Sequence, residues 1–305
     1  MGTIRRLAPA AGQTTLGAAV AAYLATLRGP EQASTHRTYG RVLRRLATTL
    51  GGETPLHEVS AEGVAAWFGE QWGERAPSTW NVSLDALRSA AAYWQRQGWI
   101  GADPARLLVR RKARPDRSRA LSRAEVGELL TREDIPLRER TLWRMLYETA
   151  ARSAEVLRLD VPDLDMPNRR AKVRRKGGQL DTIVWQTGTA RLLPRLLKGR
   201  KAGPVFLTER RARVELPPAD VDPASGRARL SYRQAEDLFK AASGGATLHQ
   251  LRHSALTHDA EDAVNTAMLQ ARSGHTSVRS LARYTRISAE ALTRHQAERD
   301  PARRR

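Results

Sequence analysis

The chain has 305 residues, a formal net charge of +20, 41% hydrophobic residues and no cysteine. The cysteine count excludes disulfides, thiolate nucleophiles and Cys-ligated zinc, and the hydrophobic content is enough for ordinary packed cores. A charge that large points to a polyanionic partner, nucleic acid being the commonest, although a lineage bias toward arginine would also produce it. No run of 18 apolar residues is present, so no membrane span is expected. The opening MGTIRRLAPAAG lacks the apolar core of a signal peptide, which makes a cytoplasmic location the expectation.

In chain order, Thr14 and Thr15 read as a helix cap before Leu16, Val20, Tyr23, Leu24 and Leu27 at helical spacing. A second helix is predicted from about Ser34 to the Gly51-Gly52 stop. Its apolar stripe (Tyr39, Val42, Leu43, Leu46) is interleaved with Arg37, Arg41, Arg44 and Arg45, a basic face without an acid. Helices follow over 61–72 and 78–97. Together they predict a small helical domain over 14–100.

The stretch 101–119, GADPARLLVRRKARPDRSR, holds seven Arg or Lys against two Asp and no amphipathic period. It reads as an exposed basic linker lying along phosphates, with Arg110, Arg111, Lys112 and Arg114 as candidate contacts. A second domain over 120–295 opens on the capping box Ser122-x-x-Glu125 before a helix, and another helix runs from Leu137 to about Ala150. Strands are predicted near 163–167, 170–175 and 180–185, with Gly177-Gly178 at the last turn. Helices are predicted near 187–198, 231–242 and 288–298, a loop over 217–230, and a basic tail over 296–305. The fold class expected is mainly α with a small antiparallel β-sheet, in two domains.

The segment TLHQLRHSALTH places His249 and His253 four residues apart, a spacing that suggests a metal pair on a helix. No acid lies between them, and Arg252 beside them would repel a divalent cation, so no metal site is expected. Arginine's planar fork instead grips phosphate through two parallel hydrogen bonds, and histidine adds a donor or moves a proton.

HQLRH (249–253), SGH (273–275) and Tyr284 nine residues on, preceded by Arg152 and Glu155 in ARSAEVLRL, resemble the tyrosine recombinase (phage integrase) family. The resemblance runs from about residue 14 to 295, with Lys176 at the K-G-G turn where the family places a hairpin lysine. Two departures stand out. The family's T-G-x-R is Thr149-Ala150-Ala151-Arg152 here, which calls for an α-compatible turn at Ala150, and the usual Leu before G-H is Ser273, which should lose a core contact.

The resemblance implies a helical core-binding (SAM-like) domain and a mixed α/β catalytic domain closing as a clamp around DNA. It implies a site-specific recombinase that cuts and rejoins DNA through a 3′-phosphotyrosine on Tyr284, using neither ATP nor metal nor any other cofactor. Arg152 and Arg252 would clamp the phosphate, with His249 and His275 completing the shell and His249 a candidate to take the tyrosine proton. Lys176 would protonate the leaving 5′-oxygen, with Lys172 its rival in RRAKVRRK (169–176). Glu155 and His253 would support the site, and Arg174 and Arg175 would touch DNA. His36, His57, His258 and His295 read as structural or solvent-facing.

Expected partners are double-stranded DNA core sites on the bacterial nucleoid, engaged by a homotetramer on two duplexes, with no membrane. With 13 residues before the first helix, no arm-binding domain is expected. The rival readings are a type IB topoisomerase-like relaxing enzyme, a non-catalytic DNA-binding relative, and a metallohydrolase.

Overall fold

The structure, a computed structural model, describes residues 14–29, 32–112, 120–175, 178–275, 281, 284, 292–293 and 296–297. The chain divides into two compact units, Met1–Arg117 and Ser118–Arg305.

The first unit is helical: α1 (Leu16–Ala25), α2 (Ala33–Leu50), α3 (Ala61–Trp72) and α4 (Pro77–Arg96). Each start has a local cause. Thr15 and Ser60 accept from the main-chain N–H of Ala18 and Gly63, and Pro77 occupies the first turn of α4, where its missing N–H costs nothing. Gly51 ends α2 with φ 90°, a backbone conformation that side chains disfavour. Leu16, Leu43, Phe68, Leu84 and Trp94 are all but fully buried. Burying each such side chain contributes about 1.5–3 kcal/mol. Trp94 also donates its indole N–H to the carbonyl of Ala19, tying α4 to α1.

Residues 101–112 depart from the exposed linker expected of them. Ala105 and Leu108 join the core of the first unit. Trp80 donates to the Val109 carbonyl, and Asn81 exchanges two hydrogen bonds with the main chain of Arg111. The prolines and charges concealed two apolar anchors and a set of backbone partners on α4.

The second unit contains α5 (Arg123–Thr131), α6 (Leu137–Thr149), α7 (Ser153–Leu157), β1 (Leu164–Asp165), β2 (Arg170–Arg174), β3 (Leu180–Val184), α8 (Thr187–Leu197), β4 (Leu207–Arg211), β5 (Arg227–Arg229), α9 (Tyr232–Ala242), α10 (Leu248–Glu261) and α11 (Thr266–Ser273). Strands β1, β2 and β3 form an antiparallel sheet in that order, with Lys172 opposite Thr182 and Arg174 opposite Leu180. The chain is thus mainly helical with small antiparallel sheets, as expected.

The capping box at Ser122 and Glu125 forms in both directions. A second antiparallel sheet, β4 with β5, falls partly in the stretch predicted as a loop. Thr208, Glu209, Arg210 and Arg211 give β4 no apolar alternation, so the period-2 signal was absent. The helix predicted near 288–298 lies mostly outside the described residues.

Candidate active site

Four segments of the second unit build the site: the α6–α7 junction, the end of β2, α10, and the end of α11 with the residues after it. Leu142, Trp143, Met145 and Leu146 bury α6 in the main core of the unit. The helix ends at Ala150, which has φ 50° and ψ 21°. The turn is therefore left-handed, at a cost of about 1–2 kcal/mol for a residue with a Cβ, rather than the α-compatible turn expected. This turn aims the Ala150 carbonyl inward and places Arg152 at the start of α7.

Glu155 is buried on α7 and reaches back to Arg152. Its Oε2 accepts from the Arg152 main-chain N–H at 2.9 Å, and its Oε1 accepts from Nη1 of Arg152 at 2.8 Å. The carboxylate fixes a half-exposed guanidinium in one orientation, with a charge-assisted hydrogen bond. The three-residue spacing of Arg152 and Glu155 thus has its cause in a single helical turn.

The helix α10 opens with a capping box between Thr247 and Gln250. It carries His249, Arg252 and His253. Arg252 is only 3% exposed. Its Nη1 donates to the Ala150 carbonyl and its Nη2 to the Ser273 carbonyl at 2.7 Å. Burial, reinforced by the nearby charge of Arg152, pushes the Arg252 guanidinium down to about 10, against the pull of Tyr284 and Glu155. The buried Arg252 guanidinium thus lies near the half-exposed guanidinium of Arg152 and the phenol of Tyr284.

Tyr284 is 2% exposed and packs with Ala150, Ala255, Leu256 and Leu269. The His253 ring meets it edge-on with centroids 5.0 Å apart, and the His275 ring lies 5.9 Å away at 32°. His275 shares a hydrogen bond between its Nδ1 and Ser273 Oγ at 2.8 Å. The serine that was expected to lose a core contact is fully buried and orients a site histidine instead. His249 is exposed on the first turn of α10. Lys176 lies outside the described residues, as does Arg114.

The structure redistributes the expected DNA-facing arginines. Arg37, Arg41, Arg44 and Arg45 are exposed on α2, as are Lys112, Lys172 and Arg174. Arg110 is exposed and paired with Asp85. Arg111 stacks over the Trp80 ring at 3.7 Å and donates to the Gly73 carbonyl, so its fork is used within the protein.

Arg175 is a correction. Expected on DNA, it is 6% exposed, and its guanidinium is held by Glu155, Asp181 and the Ser273 carbonyl. The signal was there: Ala171, Val173 and Arg175 alternate onto the buried face of the strand, while Lys172 and Arg174 face out. Counting basic residues hid this alternation. His258, read as structural or solvent-facing, is buried and hydrogen-bonded through Nδ1 to the Tyr147 hydroxyl at 2.7 Å. Among the described residues, no three His, Asp or Glu side chains gather as a metal cage requires.

The second unit thus anchors two arginines beside a buried tyrosine flanked by two histidines. Residues 119–291 match the phage integrase family, and the chain belongs to that family of tyrosine recombinases. It is 30% identical over 282 residues to the tyrosine recombinase XerC of Mycobacterium leprae, covering 87% of this chain and 92% of that protein. It is equally 30% identical, over 276 residues, to XerC of Mycobacterium tuberculosis, covering 85% and 89%.

Among solved structures, its fold is similar to a lambda integrase (75–356) dimer bound to a COC′ core site, with a TM-score of 0.69 at 17% identity over 90% of this chain and 97% of that one. The Tn1549 transposon integrase in complex with circular intermediate DNA gives 0.68 at 17% identity, covering 94% and 100%. No described helix is long and apolar enough to cross a membrane.

Proposed function

We propose that this tyrosine recombinase cuts and rejoins duplex DNA at core sites through a 3′-phosphotyrosine on Tyr284. The observation that carries this reading is the anchoring of Arg152 and of the buried Arg252 near the buried Tyr284. The tyrosine oxygen attacks the scissile phosphorus, a Tyr–O–P bond forms, and the P–O5′ bond breaks. The tyrosine proton passes to His249, and the departing 5′-oxygen takes a proton from Lys176. Attack by a 5′-hydroxyl reverses the steps, so one ester is exchanged for another and no ATP is consumed.

The transition state gathers charge on the non-bridging oxygens. Fixed donors from Arg152, Arg252, His275 and His249 meet that charge, each well-placed donor supplying about 3–4 kcal/mol. No step calls on a metal. At 2% exposure Tyr284 has to become accessible before its oxygen can meet a phosphate, so DNA binding and exposure of the nucleophile are coupled. The exposed arginines of α2 at i, i+4, i+7 and i+8 form one helical face suited to a phosphate track. Lys172 and Arg174 offer a second. Exchange takes place in a tetramer on two duplexes.

The test is recovery of covalently bound DNA from a pool of nicked duplexes cut from bacterial genomic DNA, after denaturing washes. The expected product is a strand joined to protein through its 3′-phosphate, formed by wild type with or without chelator and not by Tyr284→Phe. A Tyr284→Phe variant that traps as much DNA as wild type would overturn the reading. The recovered site then separates the rivals, since exchange between two duplexes marks a recombinase and relaxation of one supercoiled duplex alone marks a topoisomerase.

A further inference from the structure

The two phosphate-clamping arginines are not anchored independently. Oε2 of Glu155, whose other oxygen holds the Arg152 guanidinium, accepts from Nη1 of Arg175 at 3.2 Å. The Ser273 carbonyl, which holds Arg252 at 2.7 Å, accepts from the same Nη1 at 3.2 Å. A second arm, Nε of Arg175, donates to Asp181 Oδ2 on β3 at 2.7 Å, and Nη2 is buried with no hydrogen-bond partner among the described residues. One buried cation thus touches the anchor of each clamp while binding neither clamp itself.

A second feature serves the same contact. Gly274 has φ 61°, and a Cβ there would run into Cζ, Nε and Nη1 of Arg175. The backbone between Ser273 and His275 can approach the guanidinium this closely because the residue is glycine. A buried ion pair is weak grounds for a purely stabilising role, because desolvating the charges offsets most of their attraction. Arg175 joins two segments that are distant from it in sequence, α7 through Glu155 and the end of α11 through Ser273, and each of them anchors one of the clamps.

We infer that Arg175 is a positioning residue of the strand-transfer site, holding Arg152 through Glu155 and Arg252 through the Ser273 carbonyl. The inference rests on the recombinase reading, because it assigns the two held arginines to the scissile phosphate. Removing Arg175 takes away the one group that touches both the Glu155 carboxylate and the Ser273 carbonyl, and the clamps lose the link that sets their mutual spacing. The effect is on charge stabilisation in the transition state more than on DNA affinity.

The probe is the duplex recovered by covalent trapping, made in two forms: with the normal scissile phosphodiester, and with an uncharged methylphosphonate at that position. An uncharged centre has less need of a cationic clamp, so a clamp defect should shrink on it, whereas a general folding defect should lower both rates alike. With Arg175→Met the initial rate of adduct formation is expected to fall about 10- to 100-fold on the phosphodiester, the loss typical when a group that orients a functional ligand is removed. On the methylphosphonate the ratio of wild type to variant should fall to less than about threefold, with duplex binding unchanged on both.

Asp181→Ala breaks only the arm that points away from the clamps and should stay near wild type. Arg175→Lys keeps the buried charge without the fork and undergoes the same paired measurement if Arg175→Met does not fold. Equal losses on the two duplexes, an unchanged Arg175→Met rate, or an Asp181→Ala loss as large as that of Arg175→Met would each overturn the inference while leaving the recombinase reading intact. Absence of any adduct with wild type would overturn both.

Discussion

The main-chain carbonyl of Ser273 accepts a hydrogen bond from Nη2 of Arg252 at 2.7 Å. The residue that closes α11 therefore sets the direction of a guanidinium that α10 carries, and the opposite arm of that guanidinium is set by the Ala150 carbonyl. A buried cation whose hydrogen bonds go to two neutral carbonyls rather than to a carboxylate keeps more of its charge for an incoming anion.

Arg252→Lys should separate charge from geometry. A lysine ammonium cannot reach both carbonyls and a phosphate oxygen with the planar fork lost. The expected result is a loss of about 100-fold or more in the rate of covalent adduct formation, the scale of one missing transition-state donor. A lysine variant within a few-fold of wild type would show that charge alone suffices.

Ser273→Ala tests the role of a side chain that looked like a deficit. The hydroxyl shares a 2.8 Å hydrogen bond with His275 Nδ1. Without it the ring loses one of the contacts that orient it, and the adduct rate should fall by about 10-fold with little change in the thermal midpoint. An unchanged rate would place His275 under other control.

Ala150→Gly sets two opposing magnitudes against each other. Relief of the left-handed backbone favours glycine by about 1 kcal/mol, and loss of a fully buried methyl group costs about 0.8 kcal/mol. Urea denaturation should therefore place the variant within about 0.5 kcal/mol of wild type. A loss beyond about 2 kcal/mol would mean that the methyl supports the packing of Tyr284 more than its area suggests.

The acid side of the stability profile should follow His258. Burial, reinforced by the charge of Arg123, lowers its pKa below the ordinary 6.5. The unfolded chain then binds the proton more readily, so stability falls as pH drops through about 6.5 and levels off below the folded value. Asp259 acts oppositely, because burial raises its carboxyl and protonation relieves the folded state. Comparing wild type with His258→Gln cancels the Asp259 contribution. The thermal midpoint of wild type should fall more steeply from about pH 7 to about pH 5, and equal slopes in the two proteins would rule this account out.

Periodicity and caps made most of the helices legible. The 61–72 helix, the Ser122–Glu125 box and the Gly51 stop follow from interactions within a few residues, which any chain segment carries with it. The two-stranded sheet of β4 and β5 was not legible, because its strands bury almost nothing of their own and depend on each other for pairing.

What the sequence determined by itself was a set of candidate site residues: Arg152, Glu155, Arg252, His275 and Tyr284 could be named from their resemblance to the family's motifs. What only the tertiary structure decided was how those groups are held. Arg175 counted as one more basic residue until folding set it between Glu155, Asp181 and the Ser273 carbonyl, and Ser273 was a departure until its oxygens met Arg252 and His275. Spacing along the chain records which groups are present. The partner of a buried charge lies across the fold, where the low-dielectric interior makes pairing obligatory and the sequence offers no local sign of which partner it will be.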